Sequence, residues 1–306
     1  MAKPFDTSSG DLLADRRADY ADMLFASDDP AAAAEVMLGA LELAPQWSLG
    51  WFRLGEFYEV AGNVAAAIQA WRTAQRLDPA DRAGAGLKLE LAGAEPASGA
   101  APGAFVETLF DQYADRFDHA LVDTLGYRVP ELLFAAIDAC REGTFSHAVD
   151  LGCGTGLMGE RLRPLAQRLD GYDISAEMLR KARSKNVYDR LEKADLQAMA
   201  WQRERVDLVT AADVFMYVGA LERVGALAAA MLAPGGLFAF SVESHDGTED
   251  YVLRPSRRYA HSERDVRRTL SAHGLQVLSL ARERIRMDRG EPIEGLIVVA
   301  TAVAAA

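Results

Sequence analysis

The chain has 306 residues, a mass of 33.2 kDa and a formal net charge of −12. Half of the residues are hydrophobic (50%) and 25% are charged, which is typical of a folded globular protein and excludes a disordered or fibrous chain. The acidic balance argues against a broad nucleic-acid or anionic-membrane surface, because phosphate binding depends on Lys and Arg. The length allows two domains.

Only two cysteines occur, Cys140 and Cys153, too few for the disulfide framework of a small secreted domain. The first residues contain no apolar signal segment, and no apolar run is long enough to cross a membrane. We therefore expect a cytoplasmic protein with neither a membrane nor a nucleic acid as partner. The 5 histidines show no metal-ligand spacing with one another or with cysteine, so no metal is expected.

An internal repeat occupies the first third of the sequence. A-L-E-L-A-P at 40–45 and A-Q-R-L-D-P at 74–79 end in prolines 34 residues apart, which is the tetratricopeptide period. The second copy carries the residues that mark the packing positions of that repeat: Trp51, Leu54, Gly55, Tyr58, Ala67, Trp71, Ala74 and Pro79. Residues 48–81 therefore resemble a tetratricopeptide repeat, and 14–47 resemble a degenerate copy.

Composition divides the chain into three parts. Residues 1–92 form the tetratricopeptide-like helical region, with 82–92 expected as a capping helix. A Gly, Ala, Pro and Ser stretch at 93–104 is a linker, and 105–306 form a second domain. The helical region could provide a groove for a protein partner, or serve as a structural appendage or dimerisation surface; both remain open.

The second domain alternates short apolar runs with amphipathic helical stretches. Strands are predicted at 147–151, 168–173, 190–194, 206–211, 236–242, 275–284 and 294–302. The last two are joined by M-D-R-G-E-P, which leaves no room for a crossover helix, so they must pair antiparallel. The prediction is an α/β domain with a Rossmann-like, mostly parallel seven-stranded sheet that ends in an antiparallel hairpin.

A glycine-rich turn follows the first predicted strand and can be aligned in two ways. G-T-G-L-M-G from 154 fits a dinucleotide turn, whereas D-L-G-C-G-T-G from 150 puts an acid directly before the glycines. Asp173 follows the second strand and could accept both hydroxyls of a ribose. Asp195 follows the third strand and could accept from an exocyclic amino group. These residues indicate a nucleoside ligand and leave its identity open.

Five motifs in a fixed order narrow the choice. V-D-L-G-C-G-T-G, G-Y-D-I-S-A-E-M-L, K-A-D-L, V-D-L-V-T-A-A-D-V-F-M-Y and L-A-P-G-G-L-F-A-F make residues 105–303 resemble a class I S-adenosylmethionine-dependent methyltransferase. With the N-terminal repeat, the whole chain is similar to a group of predicted tetratricopeptide-containing methyltransferases, which 110–118 and 258–262 also fit. The resemblance implies S-adenosylmethionine as cofactor.

The resemblance also assigns residues to that cofactor. Asp150 would bind the amino group of the cofactor, and Asp173 would accept hydrogen bonds from the ribose hydroxyls. Asp195 would accept a hydrogen bond from the edge of the adenine, and Ile174 and Met178 would border its ring. The full set is Tyr113, Asp150, Gly152, Cys153, Gly154, Gly156, Asp173, Ile174, Met178, Asp195, Leu196 and Ala211.

Four of these positions and neighbours have further expected roles. Tyr113 matches a helical position that closes over the cofactor, and the carbonyl of Ala211 would face the amino group. Cys153 fits between glycines as a small residue and is not expected to act as a nucleophile. Gly159 is expected only to permit close helix packing.

The acceptor side is less specified. Tyr217 and His245, or Glu243, are the candidate general bases, needed only for an oxygen or protonated nitrogen acceptor. Ser262 begins S-x-x-D and should cap a helix over 262–273, which leaves His261 free to point into the site.

An arginine-rich segment follows these residues. Arg282, Arg284 and Arg286 alternate and should share one strand face. Arg258, His261 and Arg286 could receive a carboxylate or phosphate of the substrate, although a solvated basic face is also possible. We expect methyl transfer to a small-molecule or protein acceptor. The alternative is a non-catalytic S-adenosylmethionine-binding protein that acts through its repeats.

Overall fold

The structure is a computed structural model that describes residues 7–115, 117–118 and 125–303. The chain divides into two compact units, Met1–Thr108 and Leu109–Ala306, and each is described by itself. The division lies inside a helix, a few residues beyond the predicted linker.

The first unit is all helical. Its helices are α1 Leu12–Ala26, α2 Pro30–Leu43, α3 Ser48–Val60, α4 Val64–Leu77 and α5 Ala85–Leu91. The side chains of Asp11, Asp29 and Asn63 accept backbone N–H groups at the starts of α1, α2 and α4, which is why these helices begin there. A Cβ on Gly55 would lie 2.2 Å from Nε1 of Trp71, so this glycine makes room for the indole. The expected packing role of Gly55 is confirmed.

The second unit begins within α6 and contains nine strands among its described residues. Its elements are α6 Gly103–Tyr113, α7 Val129–Cys140, β1 Phe145–Leu151, α8 Leu157–Leu162, β2 Ala166–Asp173, α9 Ala176–Lys185, β3 Arg190–Lys193, β4 Val206–Ala211, α10 Glu222–Met231, β5 Leu232–Ser244, β6 Tyr251–Leu253, β7 Tyr259–His261, α11 Glu263–Ala272, β8 Leu275–Asp288 and β9 Glu291–Ala302. All seven predicted strands are present, but the strand count was wrong. β6 and β7 have three residues each, too few for a hydrophobic period to be recognised.

The sheet has the order β3-β2-β1-β4-β5, with these five strands parallel. β9 pairs antiparallel with β5, and β8 pairs antiparallel with β9, as the short connection required. β7 pairs with the end of β5, and β6 pairs with β7. Buried apolar residues cover both faces of the central strands. The carboxyl ends of the parallel strands therefore meet at one edge, where ligands of such sheets bind.

The C-terminal arginines differ from the sequence expectation. The pairing of β8 with β9 shifts register between Arg284 and Arg286, so the strict alternation of faces breaks there. Arg282 and Arg284 are exposed, whereas Ile285 and Arg286 are both buried. The prediction that the three arginines share one face was wrong. The capping prediction for Ser262 is confirmed, because its Oγ accepts the N–H of Asp265 at 3.2 Å.

Candidate active site

The turn between β1 and α8 is held in a backbone conformation that glycine favours. Gly152, Gly154 and Gly156 have φ angles of 63°, 54° and 94°. A Cβ on Gly152 would lie 2.5 Å from a methyl carbon of Val214, so a larger residue does not fit there. Burial raises the pKa of the Cys153 thiol well above its ordinary value, which keeps it protonated and poorly nucleophilic.

Asp173 connects this turn to the end of β2. Its carboxylate accepts the N–H of Gly154 and the N–H of Ser175, both at 2.8 Å. The residue is only 7% exposed, and burial raises the pKa of its carboxyl to about 6. The acid predicted for the ribose therefore lies directly against the predicted glycine turn.

Asp150, at the end of β1, has two hydroxyl partners. Tyr188 and Thr210 each donate a hydrogen bond of 2.7 Å to its carboxylate. Burial raises the pKa of Asp150 to about 6, although these hydrogen bonds act in the opposite direction. A Cβ on Gly159 would lie 2.2 Å from the Tyr188 hydroxyl, so Gly159 makes room for this ring and not for another helix. Sequence reasoning missed both residues. Tyr188 lies outside the five motifs, and Thr210 lies within V-D-L-V-T-A-A-D-V-F-M-Y but meets Asp150 only because β4 pairs with β1.

The residues expected to surround the adenine are not equally buried. Ile174 is half-buried, whereas Met178 and Ala211 are completely buried. The carboxylate of Asp195 accepts the N–H of Gln197 at 2.9 Å, and Leu196 packs on the main hydrophobic core. Of these residues, Asp195 lines a cavity of about 410 Å³, whose lining also includes Tyr172, Ala194, Met199, Trp201 and Arg203.

The segment 109–118 contacts the glycine turn through residues that sequence reasoning did not assign. Asp118 accepts a hydrogen bond from the hydroxyl of Thr155, and Phe117 lies 3.8 Å from the Cβ position of Gly154. Asp111 accepts from Ser175 Oγ at 2.5 Å. Tyr113, assigned to cover the cofactor, is 55% exposed. The available signal was the seven-residue spacing of Phe and Asp in F-D-Q-Y-A-D-R-F-D.

An aromatic row leads from this segment to the predicted acceptor side. The ring centroids of Phe117 and Phe110 are 5.9 Å apart, and those of Phe110 and Tyr217 are 5.6 Å apart. Burial raises the pKa of Tyr217, with Arg258 acting partly against this effect. The phenol is therefore protonated at neutral pH and can donate a hydrogen bond more readily than it can accept a proton.

The two predicted histidines are both engaged. His261 is completely buried, and its Nε2 donates to the carbonyls of Val218 and Gly219 at 2.8 and 3.1 Å. Burial lowers the pKa of His261 to about 4, so the ring is neutral. The prediction that His261 points freely into the site was wrong, because β7 places it inside the sheet. In His245, Nδ1 accepts the N–H of Gly247 at 3.0 Å.

Arg286 is buried and ion-paired inside the domain. It is 2% exposed and donates to both oxygens of Asp213 at 2.8 and 2.7 Å and to Glu243. Burial lowers its pKa, but the two carboxylates outweigh this effect and keep it charged. The register shift in β8 turns this side chain inward, away from the exposed face of Arg282 and Arg284, and a contact of Arg286 with substrate stays a prediction.

Arg258 remains accessible at the same end of the sheet. Its side chain is 27% exposed and donates to Asp288 at 3.1 Å. Among the described residues there is no group of three or more His, Cys, Asp or Glu side chains that could hold a metal ion. No helix in this described part of the chain is long and apolar enough to span a membrane.

The sheet order, the glycine turn after β1 and the acid after β2 together define the class I methyltransferase fold. Residues 149–240 match the family model described as a methyltransferase domain. The second unit thus contains a class I S-adenosylmethionine-dependent methyltransferase domain.

Curated relatives and a solved structure agree with this class. The chain is 28% identical over 148 residues to malonyl-[acyl-carrier protein] O-methyltransferase of Enterobacter lignolyticus, covering 48% of this chain and 57% of that protein. It is 37% identical over 118 residues to trans-aconitate 2-methyltransferase of Paracidovorax citrulli, covering 38% and 45%. The chain therefore spans about half the length of these relatives. One chain of a Haloferax volcanii complex between a methyltransferase activator and a methyltransferase has the same fold, with a TM-score of 0.53 and 20% identity. The match covers 66% of this chain and 99% of that chain.

The residues at the site fit S-adenosylmethionine, the cofactor of this class. Asp150 and Asp173 are buried carboxylates, and neither has a basic partner among the described residues. An ammonium group and ribose hydroxyls would supply the donors and the positive charge that these carboxylates lack. Among the described residues, a Cβ on Gly154 would meet only Phe117, and this space lets a ligand approach the backbone.

Proposed function

We propose that this protein transfers a methyl group from S-adenosylmethionine to a small-molecule or protein acceptor. The observation that carries the proposal is the pair of buried carboxylates, Asp150 and Asp173, at the carboxyl ends of two adjacent parallel strands. Burying two such charges is unfavourable unless a ligand compensates them. A cofactor that brings both a cation and hydroxyl donors provides that compensation.

Individual roles follow from the contacts. Asp150, held by Tyr188 and Thr210, would bind the amino group, and Asp173 would bind the ribose hydroxyls. Asp195 beside its cavity would accept from the adenine amino group. The other positions that we propose to border the cofactor are Gly152, Cys153, Gly154, Gly156, Ile174, Met178, Leu196, Ala211 and Tyr113.

The main contribution that the reaction requires from the protein is orientation of the acceptor. S-adenosylmethionine, when bound, supplies a methyl group that is already electrophilic. The protein must align the acceptor and exclude water, and orientation can contribute about 7–11 kcal/mol in the best cases. The buried ring of Tyr217 and the aromatic row beside it are placed to do both, with the Tyr217 hydroxyl as an orienting donor.

The names of the relatives favour oxygen as the acceptor atom. One name specifies an O-methyltransferase for malonyl-[acyl-carrier protein], and the other gives trans-aconitate as substrate. Both named compounds contain carboxylates. We propose that Arg258 receives an anionic group of the acceptor, because its guanidinium is partly exposed next to Tyr217.

Calorimetric titration tests this function. Wild-type protein and Asp173→Ala should be titrated separately with S-adenosylhomocysteine and with NADH. We expect wild type to bind only S-adenosylhomocysteine, and the variant to bind it much more weakly. Binding of NADH instead would replace the methyltransferase proposal with a dinucleotide enzyme. Cofactor binding without turnover of any acceptor would support the non-catalytic alternative.

We further propose that the first unit is a tetratricopeptide-like module for a protein partner in the cytoplasm. Two features support this proposal. The first unit consists of successive helices, α1 to α5, and Gly55 makes room for the indole of Trp71. The outer side of α1 exposes Leu12, Leu13, Tyr20 and Met23, each more than half accessible. The double variant Tyr20→Glu, Met23→Glu should fold and bind S-adenosylhomocysteine normally but lose a partner that wild type retains in affinity capture. Equal capture by both proteins would contradict this role.

A further inference from the structure

The short turn between β6 and β7 carries three arginines, Arg254, Arg257 and Arg258. The N–H of Arg254 donates to the carbonyl of Arg258 at 2.9 Å, and the N–H of Arg257 donates to the carbonyl of Arg254 at 2.8 Å. The side chains of Arg254 and Arg258 are 32% and 27% exposed. The backbone hydrogen bonds hold the two guanidinium groups on a single turn, and both reach solvent.

Both guanidinium groups have donors to spare. Arg254 donates to Glu243 at 3.2 Å and to the carbonyl of Ser244 at 2.7 Å. Arg258 donates to Asp288 at 3.1 Å and also has a hydrogen bond with the hydroxyl of Tyr217. Each guanidinium carries five N–H donors in a planar fork that matches a carboxylate. The turn can therefore receive one anionic group in addition to its present partners.

The turn is connected to the cofactor side of the domain. Arg258 lies against Tyr217, Tyr217 stacks edge-on with Phe110, and Phe110 does so with Phe117. Phe117 in turn lies beside Gly154. An acceptor held by the arginines and extending along this row would present its other end to the cofactor.

The candidate bases along this path are poorly suited to take a proton at neutral pH. Glu243 and Asp213 are both ion-paired with Arg286. His261 Nε2 donates to backbone carbonyls, and its Nδ1 has no hydrogen-bond partner among the described residues, but burial lowers the pKa of the ring to about 4. His245 Nδ1 accepts a backbone N–H. Tyr217 is a buried phenol. An acceptor that is a hydroxyl or an ammonium group would need a base to remove its proton, whereas a carboxylate is already deprotonated and needs none.

We propose that the methyl acceptor is a small polycarboxylic acid, one carboxylate of which is held by Arg254 and Arg258 while another is converted to its methyl ester. This inference rests on the proposed function. One oxygen of the free carboxylate forms a C–O bond with the methyl carbon, the S–C bond breaks with its electron pair on sulfur, and no proton is released. Opposite charges are neutralised in this step, so exclusion of water by the buried ring of Tyr217 favours it.

The test uses the full chain with methyl-labelled S-adenosylmethionine and a panel of acceptors. The panel contains malonate, succinate, glutarate and citrate, with the corresponding diols, diamines and mono-carboxylates as comparisons. We expect label in an alkali-labile methyl ester of at least one polycarboxylate, at a rate that does not rise between about pH 7 and about pH 9, since no base titrates in that range. Preferential methylation of a diol or diamine, or a rate that rises steeply with pH, would overturn the inference.

Matched variants locate the anion site. Arg254→Gln and Arg258→Gln should each raise the apparent KM for the polycarboxylate roughly tenfold or more, because each removes a charge-assisted contact, with a smaller change in kcat. Arg264→Gln is the control, since its side chain is 66% exposed and pairs with Asp250 on the outside of α11. Equal KM values for all three variants would count against the site.

Failure of this inference can be distinguished from failure of the proposed function. Calorimetry with S-adenosylhomocysteine tests the cofactor site without any acceptor, and loss of that binding would remove the function itself. If the homocysteine form binds but no polycarboxylate is methylated, the acceptor class is wrong and the cofactor assignment stands. Binding of succinate to the S-adenosylhomocysteine complex, weakened in Arg258→Gln, gives a second readout that does not depend on turnover.

Discussion

The hydroxyl of Tyr188 donates a hydrogen bond of 2.7 Å to the carboxylate of Asp150, 38 residues earlier in the chain. The ring reaches Asp150 by filling the space beside Gly159, where any Cβ would collide with the phenol. The glycine that makes the turn look like a dinucleotide motif is therefore explained by a tyrosine outside the motif. Through this contact, Tyr188 lowers the pKa of the acid proposed to bind the cofactor amino group.

Replacing Tyr188 with Phe should weaken S-adenosylhomocysteine binding. Without the hydroxyl, the pKa of Asp150 rises further, so more of the carboxyl is protonated near neutral pH and fewer molecules can bind the ammonium group. We expect about a tenfold higher Kd near pH 6.5 and a smaller loss near pH 8.5. Calorimetry at both pH values checks this, with Tyr20→Phe, on an exposed ring of the first unit, as control. An affinity loss equal at both pH values would contradict the electrostatic explanation.

The buried Asp150 should also make stability depend on pH. Its folded-state pKa of about 6 lies above the ordinary value of 3.8, so the folded protein binds a proton more tightly than the unfolded chain does. This contribution is fully present below about pH 4 and is lost as the pH rises through about 6, by up to about 3 kcal/mol.

Asp150→Asn isolates that contribution, because the hydroxyls of Tyr188 and Thr210 can accept from an amide as well as donate. Urea denaturation of the apo proteins at about pH 4.5 and about pH 7 should show the variant gaining stability relative to wild type at the higher pH. The same variant should bind S-adenosylhomocysteine poorly. A stability difference that is independent of pH would show that Asp150 is not the titrating group.

Asp111 should control how long the cofactor stays bound. Its carboxylate accepts from Ser175 Oγ at 2.5 Å and from the N–H of Glu177 at 3.3 Å, which ties the segment 109–118 to the start of α9. Asp111→Ala removes both contacts, and we expect the dissociation rate of S-adenosylhomocysteine to rise about tenfold.

A matched control lies on the same segment. Asp115 pairs with Lys181 at 2.7 Å, but its side chain is 78% exposed, and solvent screens such surface pairs so strongly that they contribute little. Asp115→Ala should therefore leave the dissociation rate almost unchanged in a competition-chase measurement. If both variants release the ligand equally fast, charge on the segment matters and the specific contacts of Asp111 do not.

Arg286 should be essential for folding stability. Its removal leaves Asp213 and Glu243 as buried carboxylates that lack this charge partner, which typically costs about 3–5 kcal/mol. Arg286→Met is expected to show this loss in chemical denaturation, whereas Arg282→Met, on an exposed arginine of the same strand, should change the unfolding free energy by less than about 0.5 kcal/mol. A fully stable Arg286→Met protein would contradict the structural role of Arg286 and favour a role in substrate binding.

Local patterns in the sequence determined the elements and part of the site. The glycine turn, the acid after each strand and the alternation of apolar residues act over a few residues, so the seven longer strands and the cap at Ser262 could be predicted. Asp150, Asp173 and the turn lie together because parallel strands bring their carboxyl ends to one edge.

Tertiary structure alone decided which charges face one another. Tyr188 meets Asp150 across 38 residues, and Arg286 meets Asp213 across 73. The inward direction of Arg286 depends on a one-residue register shift between β8 and β9. The burial of His261 depends on β7, which has three residues and is too short to be predicted from hydrophobic periodicity. Side-chain direction in a sheet reverses with each residue, so such shifts, set by pairing with distant strands, decide whether a side chain is buried or exposed.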